Sequence, residues 1–173
     1  MRLGKSAVTV AMLLVLSIAA SCSSSKFKRY NGPEVTRVIV DKGDRKLFLI
    51  HHNKVLKSYD MELGFAPVGH KQFEGDGKTP EGEYVIDRRN PDSSFHLSLG
   101  ISYPNEADIA YAEAEGKSPG GDIFIHGQPN KLVRSRKKAS DPDWTAGCIS
   151  VTNKEMERIY AMIKDGTPIT LRP

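Results

Sequence analysis

The stretch "TRVIVDKGDRKLFLIHHNKVLKSYDMELG", Thr36 to Gly64, alternates apolar and polar residues over nearly thirty positions. Val38, Val40, Leu47 and Leu49 fall on one face, with Arg, Lys and Asp between them, and Val55, Tyr59, Met61 and Leu63 continue the series. A period of two places successive side chains on opposite faces of a strand, which no helix can do. "DKGD" and "HHNK" interrupt the alternation where turns are needed, so the stretch predicts an antiparallel β meander.

The rest of the chain adds more strands than helices. Gly75, Gly77, Pro80 and Gly82 in "GDGKTPEGEYVID" predict a turn, and "EYVI" a return to strand. The "GKT" there is not a nucleotide loop: Gln72 stands where the first glycine is required, and Pro80 stands where a helix should begin. "FHLSLGISYP" reads as a strand with His96 pointing outward, and "DIFIHG" as a strand stopping at His126 and Gly127. "TPITLRP" closes the chain as a final strand.

Two helices are expected between them. One runs through "NEADIAYAEAEG", capped by Asn105 and closed by Gly116. The other begins at the capping box of Thr152 and Glu155, carries Met156, Ile159, Tyr160 and Ile163 on one face, and stops at Gly166. "QPNKLVRSRKKASDPDW" is polar and has no period, so it is expected as a long surface loop. The fold class is therefore mainly β with two inserted helices (α+β), in one domain of the size that 173 residues allow.

The N-terminus predicts export. Arg2 and Lys5 precede an apolar run from about Ala7 to Ala20, too short for the roughly 20 residues of a membrane span. Its end, "AASC", resembles a bacterial lipobox, although Ala19 replaces the usual Leu, and this resemblance implies lipid on Cys22. The expected layout is a signal peptide over residues 1–21, a polar tether over 22–33 and a folded domain over 34–173. Ser23 is not the Asp of an inner-membrane retention signal, so a periplasmic domain on an outer-membrane anchor is expected if the envelope has two membranes. The excess of Lys+Arg 25 over Asp+Glu 21 is mild and points to no nucleic acid.

With Cys22 assigned to lipid, Cys148 in "DWTAGCISVTN" has no disulfide partner in an oxidising compartment. A buried, inert cysteine is the ordinary explanation. Its setting favours a nucleophile: the nearby helix start is expected to lower the thiol's pKa, and the amides of Gly147 and Cys148 are placed to face a developing oxyanion. Attack on an amide needs a proton acceptor and donor, and of five histidines only His126 ends an apolar strand just before a glycine. His51 and His52 are expected in a hairpin turn, pointing to opposite faces, and His70 in a loop. With no paired cysteine spacing and no HExxH, no metal or cofactor is expected.

"IFIHG", a variable spacer and "TAGCISVTN", with "GDGKTPEGEYVI" upstream, resemble the L,D-transpeptidase catalytic domain (YkuD) family from about Val35 to Pro173. The resemblance implies β-sandwich-like mixed sheets and a peptidoglycan stem peptide as substrate. It implies Cys148 as nucleophile, His126 as catalytic histidine, Gly127 as the residue whose carbonyl orients it, Thr145 as the hydroxyl position and Gly147 as part of the oxyanion hole. Ala146 and Ser150 depart from the pattern, which often has His and Arg or Asn there. An Arg two residues after the cysteine could grip a substrate carboxylate as a serine cannot. Transpeptidation is the leading expectation; hydrolysis by the same residues, as an L,D-carboxypeptidase or an amidase releasing wall-bound lipoprotein, is the alternative, and non-catalytic wall binding a third.

Overall fold

The computed structural model describes residues 25–131 and 143–173. The meander forms as its alternation requires: β1 (Arg37–Asp41), β2 (Lys46–His51) and β3 (Lys54–Asp60) pair antiparallel in succession. Val38, Val40, Leu47 and Leu49 are fully buried. Val55 is 53% exposed, out of phase with buried Tyr59, because the β2–β3 register shifts between Leu49 and Ile50. The extra residue, Leu56, inverts the facing of everything before it on β3.

Five further strands complete one sheet: β4 (Gly82–Asn90), β5 (Ser98–Ile101), β6 (Phe124–His126), β7 (Ile149–Ser150) and β8 (Pro168–Arg172). Their order is β3-β2-β1-β8-β4-β5-β6-β7, with β1–β8 and β6–β7 parallel and the rest antiparallel. β4 joins the two halves. Its residues 82–85 pair with β8, its residues 86–90 with β5, and a register shift between Ile86 and Arg88 marks the bend. The sheet thus curls over a shared core, as the expected mixed-sheet fold requires. β5 is buried along its whole length, Ser98 to Ile101, because it is covered on both faces. His96 lies before that strand at φ +71, not within it, and its Nε2 bonds Glu157 at 3.1 Å.

Helix α1 (Glu106–Ala114) starts at Asn105 with a full capping box, and Gly116 follows its end at φ +65. Asp108 at the third helical position accepts from Tyr84 Oη at 2.8 Å and from His70 Nε2 at 3.0 Å. His70 Nδ1 in turn accepts the Glu81 N–H, so this histidine is a tie between loop, strand and helix.

Helix α2 (Asn153–Met162) carries the Thr152/Glu155 capping box and buries Met156 and Ile159 completely. Each such side chain contributes roughly 1.5–3 kcal/mol of apolar burial. The helix ends at Ile163, three residues before Gly166, which serves instead in the turn into β8. No basic residue lies in its last turn; Arg89 of β4 supplies the cation, donating to the carbonyls of Tyr160 and Ile163 with its guanidinium over the Tyr160 ring.

Part of the expected tether lies on this helix. Lys26 donates to Pro91 O at 2.6 Å, Phe27 meets the Tyr160 ring at 6.5 Å, and Lys28 pairs with Glu157 at 3.2 Å. The signal segment, Cys22 and the basic run Arg134–Lys138 lie outside the described residues. No helix among the described residues is long and apolar enough to cross a membrane.

Candidate functional site

β6 delivers His126 and the loop before β7 delivers Cys148 to one cavity of about 440 Å³, lined also by Phe95, Asp122, Trp144 and Thr145. The parallel pairing of β6 with β7 sets Ile125 beside Ile149 and His126 beside Ser150, so Cys148, just before β7, lies level with Phe124, two residues along the strand from His126. Segment 61–65 backs the cysteine loop. Glu62 and Ser150 exchange backbone bonds at 2.9 and 2.8 Å, and Thr145 bonds Leu63 and Phe65 at 3.1 and 2.9 Å.

The loop is held from inside. Thr145 Oγ1 donates to Cys148 O at 2.7 Å and accepts the Gly147 N–H at 3.1 Å. Gly147 sits at φ +135, where a Cβ would stand 2.6 Å from Lys78 O. Gly64 is similarly obligatory, since a Cβ there would lie 2.1 Å from Gly77 O. The Gly147 amide, expected at the oxyanion, is therefore committed to Thr145.

His126 is buried, and its Nδ1 lies 2.7 Å from Gly127 O. A carbonyl only accepts, so Nδ1 carries the proton and Nε2 keeps its lone pair. Phe95 packs on the imidazole at 4.5 Å between centroids, and Trp144 approaches at 5.9 Å edge-on. Burial lowers the His126 pKa, against the opposing effects of the Gly127 carbonyl and the Glu62 charge.

Cys148 is half-buried, with Sγ 3.5 Å from Asp122 O. Burial raises its pKa, the nearby Phe124 amide pulls it back, and Asp122 adds to the rise. This reverses the expected lowering. The thiol is not at the start of α2, because β7, Val151 and Thr152 intervene, and the helix field falls off within about one turn. The resting pair is a neutral thiol and a neutral imidazole, and a proton must move for the thiol to attack a carbonyl.

Ser150 lies behind the cavity. It is wholly buried, donating to Glu62 Oε2 at 3.1 Å and accepting from Gln128 Nε2 at 2.9 Å. It cannot touch substrate there, so the Arg-to-Ser difference changes the interior. The same Glu62 oxygen accepts Trp144 Nε1 at 2.5 Å. Glu62, Gln128, Phe95 and Trp144 carry no local sequence signal of their own, except that the chain's one tryptophan stands four residues before Cys148.

The other histidines stay structural. His51 Nδ1 meets Glu34 O, and the rings of His51 and His52 lie 4.4 Å apart, not on opposite faces, because His52 turns through φ +51. Among the described residues no group of His, Cys, Asp and Glu could hold a metal. The "GDGKT" loop is built around an anion of its own: Asp76 accepts the amides of Gln72, Phe73 and Lys78 and the Lys71 ammonium. Burial alone would raise the Asp76 pKa, but those donors outweigh it.

A curled mixed sheet carrying an oriented histidine and a cysteine on one cavity defines the class of a Cys/His domain suited to acyl chemistry. The chain belongs to the L,D-transpeptidase catalytic domain family (YkuD), whose model matches residues 35–171. It is similar to YafK of Escherichia coli K12, a candidate L,D-transpeptidase by name, at 27% identity over 162 residues, covering 90% of this chain and 58% of that protein. Among solved structures it is similar to the helical cell shape determining protein Pgp2 from Campylobacter jejuni, at 27% identity and TM-score 0.61, covering 83% of this chain and 49% of the other. Bd1075 of Bdellovibrio bacteriovorus is similar at 25% identity and TM-score 0.56, over 84% and 50%. The chain thus spans about half the length of these structures.

Proposed function

We propose that the protein is a peptidoglycan-modifying cysteine L,D-transpeptidase acting on diaminopimelate-containing stem peptides through a Cys148 thioester. The observation that carries this reading is the placement of Cys148 and His126 on one cavity, with Nδ1 fixed by Gly127 so that Nε2 is the free base. As substrate enters, the Sγ proton passes to Nε2 and the thiolate attacks the carbonyl at the L-centre of diaminopimelate. The Cys148 N–H, one residue ahead of the β7 ladder, is left to polarise the carbonyl oxygen. His126 then protonates the leaving amine, and the thioester passes its acyl group to an acceptor amine, or to water in the hydrolytic variant. Similarity to a cell shape determining protein supports a role in remodelling the wall. The domain acts in the periplasm, anchored through lipid on Cys22.

Muropeptide mass spectrometry of cells expressing the wild type or Cys148→Ala tests this. New crosslinks that depend on Cys148 support transpeptidation; shortened or protein-free stems replace it with hydrolysis. Unchanged muropeptides from both proteins, with sacculus binding retained, would defeat both enzymatic readings.

A further inference from the structure

A second recess of about 200 Å³ opens between the segment after Ser25, strand β3 and helix α2, walled by Lys28, Arg29, Lys57, Tyr59 and Arg158. Lys28 is answered by Glu157 at 3.2 Å, and Glu157 also bonds His96. Glu155, close enough to influence Tyr59, is committed to the Thr152 cap. Arg29, Lys57 and Arg158 have no ion pair or side-chain hydrogen bond among the described residues. Cations gathered from three separate elements repel one another, and no carboxylate among the described residues pairs with these three.

Tyr59 makes the second, independent observation. It is 6% exposed, and its hydroxyl has no hydrogen-bond partner among the described residues. A buried donor left unpaired is costly, and native structures keep few of them. Tyr30, beside it, satisfies its own hydroxyl with Pro33 O at 2.9 Å. Burial raises the Tyr59 pKa and keeps the hydroxyl a donor, and Arg158 is close enough to oppose that rise. An anionic oxygen arriving in the recess would meet the guanidinium groups and, once the side chains over it part, accept from that hydroxyl, a donor set that suits phosphate. The volume falls below the roughly 300–1,000 Å³ of drug-sized ligand sites, so the recess suits a headgroup and not a stem peptide.

The chain itself indicates the source. Lys28 follows Cys22 by six residues, so the wall of the recess stays within about 20 Å of that cysteine at full extension. We propose that this recess binds the phosphate of an anionic phospholipid headgroup and holds the domain against the bilayer, an inference that rests on the anchoring of Cys22 proposed above. The exposed ring of Phe27, 53% accessible beside it, adds an apolar contact at the same surface.

The test uses the full chain in nonionic detergent, titrated calorimetrically with dihexanoyl phosphatidylglycerol below its micelle concentration, with dihexanoyl phosphatidylcholine, and with inorganic phosphate. Phosphatidylglycerol should bind at least about tenfold more tightly than either of the others. Arg158→Gln and Tyr59→Phe should each weaken it by about tenfold, the scale of one charge-assisted hydrogen bond, without lowering the thermal midpoint of the free protein, since each removes an unsatisfied group. Equal binding of the two lipids, or an Arg158→Gln protein that binds as well as wild type, overturns the site. Inorganic phosphate binding as tightly as phosphatidylglycerol overturns the lipid assignment. The mass of the N-terminal peptide from membranes reports Cys22 separately: unmodified Cys22 with headgroup binding intact defeats the anchor alone, and acylated Cys22 without binding defeats the recess alone.

Discussion

Gly147→Ala is the substitution whose cost the structure fixes most closely. The backbone there has φ +135, and an added Cβ would sit 2.6 Å from Lys78 O, 0.4 Å inside the 3.0 Å limit that real Cβ atoms respect, with Ile123 Cδ1 at 3.3 Å behind it. The conformation costs about 1–3 kcal/mol for a residue with a side chain, and displacing a packed backbone adds about 1–3 kcal/mol. The sum, about 2–6 kcal/mol, is a large part of the roughly 5–15 kcal/mol that holds a domain of this kind together. Gly116→Ala is the control, because Gly116 also has positive φ, +65, but has nothing within 4 Å of the added atom. It should cost only about 1 kcal/mol. Urea unfolding followed by the single tryptophan, Trp144, reads both. With a slope of about 2 kcal/mol/M, Gly147→Ala should lower the midpoint by about 1–3 M. If the two variants unfold within about 0.5 kcal/mol of each other, Lys78 O yields freely and the claim that this close approach fixes the cysteine loop is wrong.

Three further outcomes are expected. Alkylation of Cys148 by iodoacetamide should be slow at neutral pH and climb only above the ordinary thiol value of 9.0, because burial raises the thiol; fast, pH-independent alkylation below pH 7 would show a thiolate–imidazolium pair instead. The same neutral pair sets a stability window. The unfolded chain takes up a proton on His126 as pH falls through 6.5 while the folded one resists, and it releases the Cys148 proton first as pH rises past 9.0, so stability declines on both sides, and His126→Gln should flatten the acid side near pH 6. Glu62→Gln removes the charge that favours protonated His126 and the acceptor shared by Trp144 and Ser150. Its acid-limb pKa in a pH–rate profile should move down, with kcat reduced more than KM is raised; a profile identical to wild type would mean that Glu62 only packs.

How much of this was legible beforehand varies with the range of the interaction responsible. The meander, both helix starts and the strand ending at His126 follow from alternation, capping chemistry and glycine, all of which act over a few residues. Val55 shows the limit of that reading. Its place in the alternation is regular, yet one bulged residue in the pairing with β2 turns it outward. His96 reads as a strand residue, but the chain reaches β5 only at Ser98, after a positive-φ position fixed by Asn130 and Glu157.

At the candidate site, the sequence by itself singled out Cys148 and His126, the glycine beside each, and the hydroxyl of Thr145. Their electrostatic state was decided by the tertiary structure. Helix proximity along the chain suggested an acidic thiol, but β7 intervenes before α2 and burial dominates, so the thiol rises and the imidazole falls. Ser150 was visible as a departure from the family pattern, and only the packing of segment 61–65 against it showed that it faces Glu62 and Gln128, behind the cavity that Cys148 and His126 line. Desolvation depends on what the whole chain brings around a group. Residues 62, 95, 128 and 144 come from four separate stretches, so no local pattern carries it.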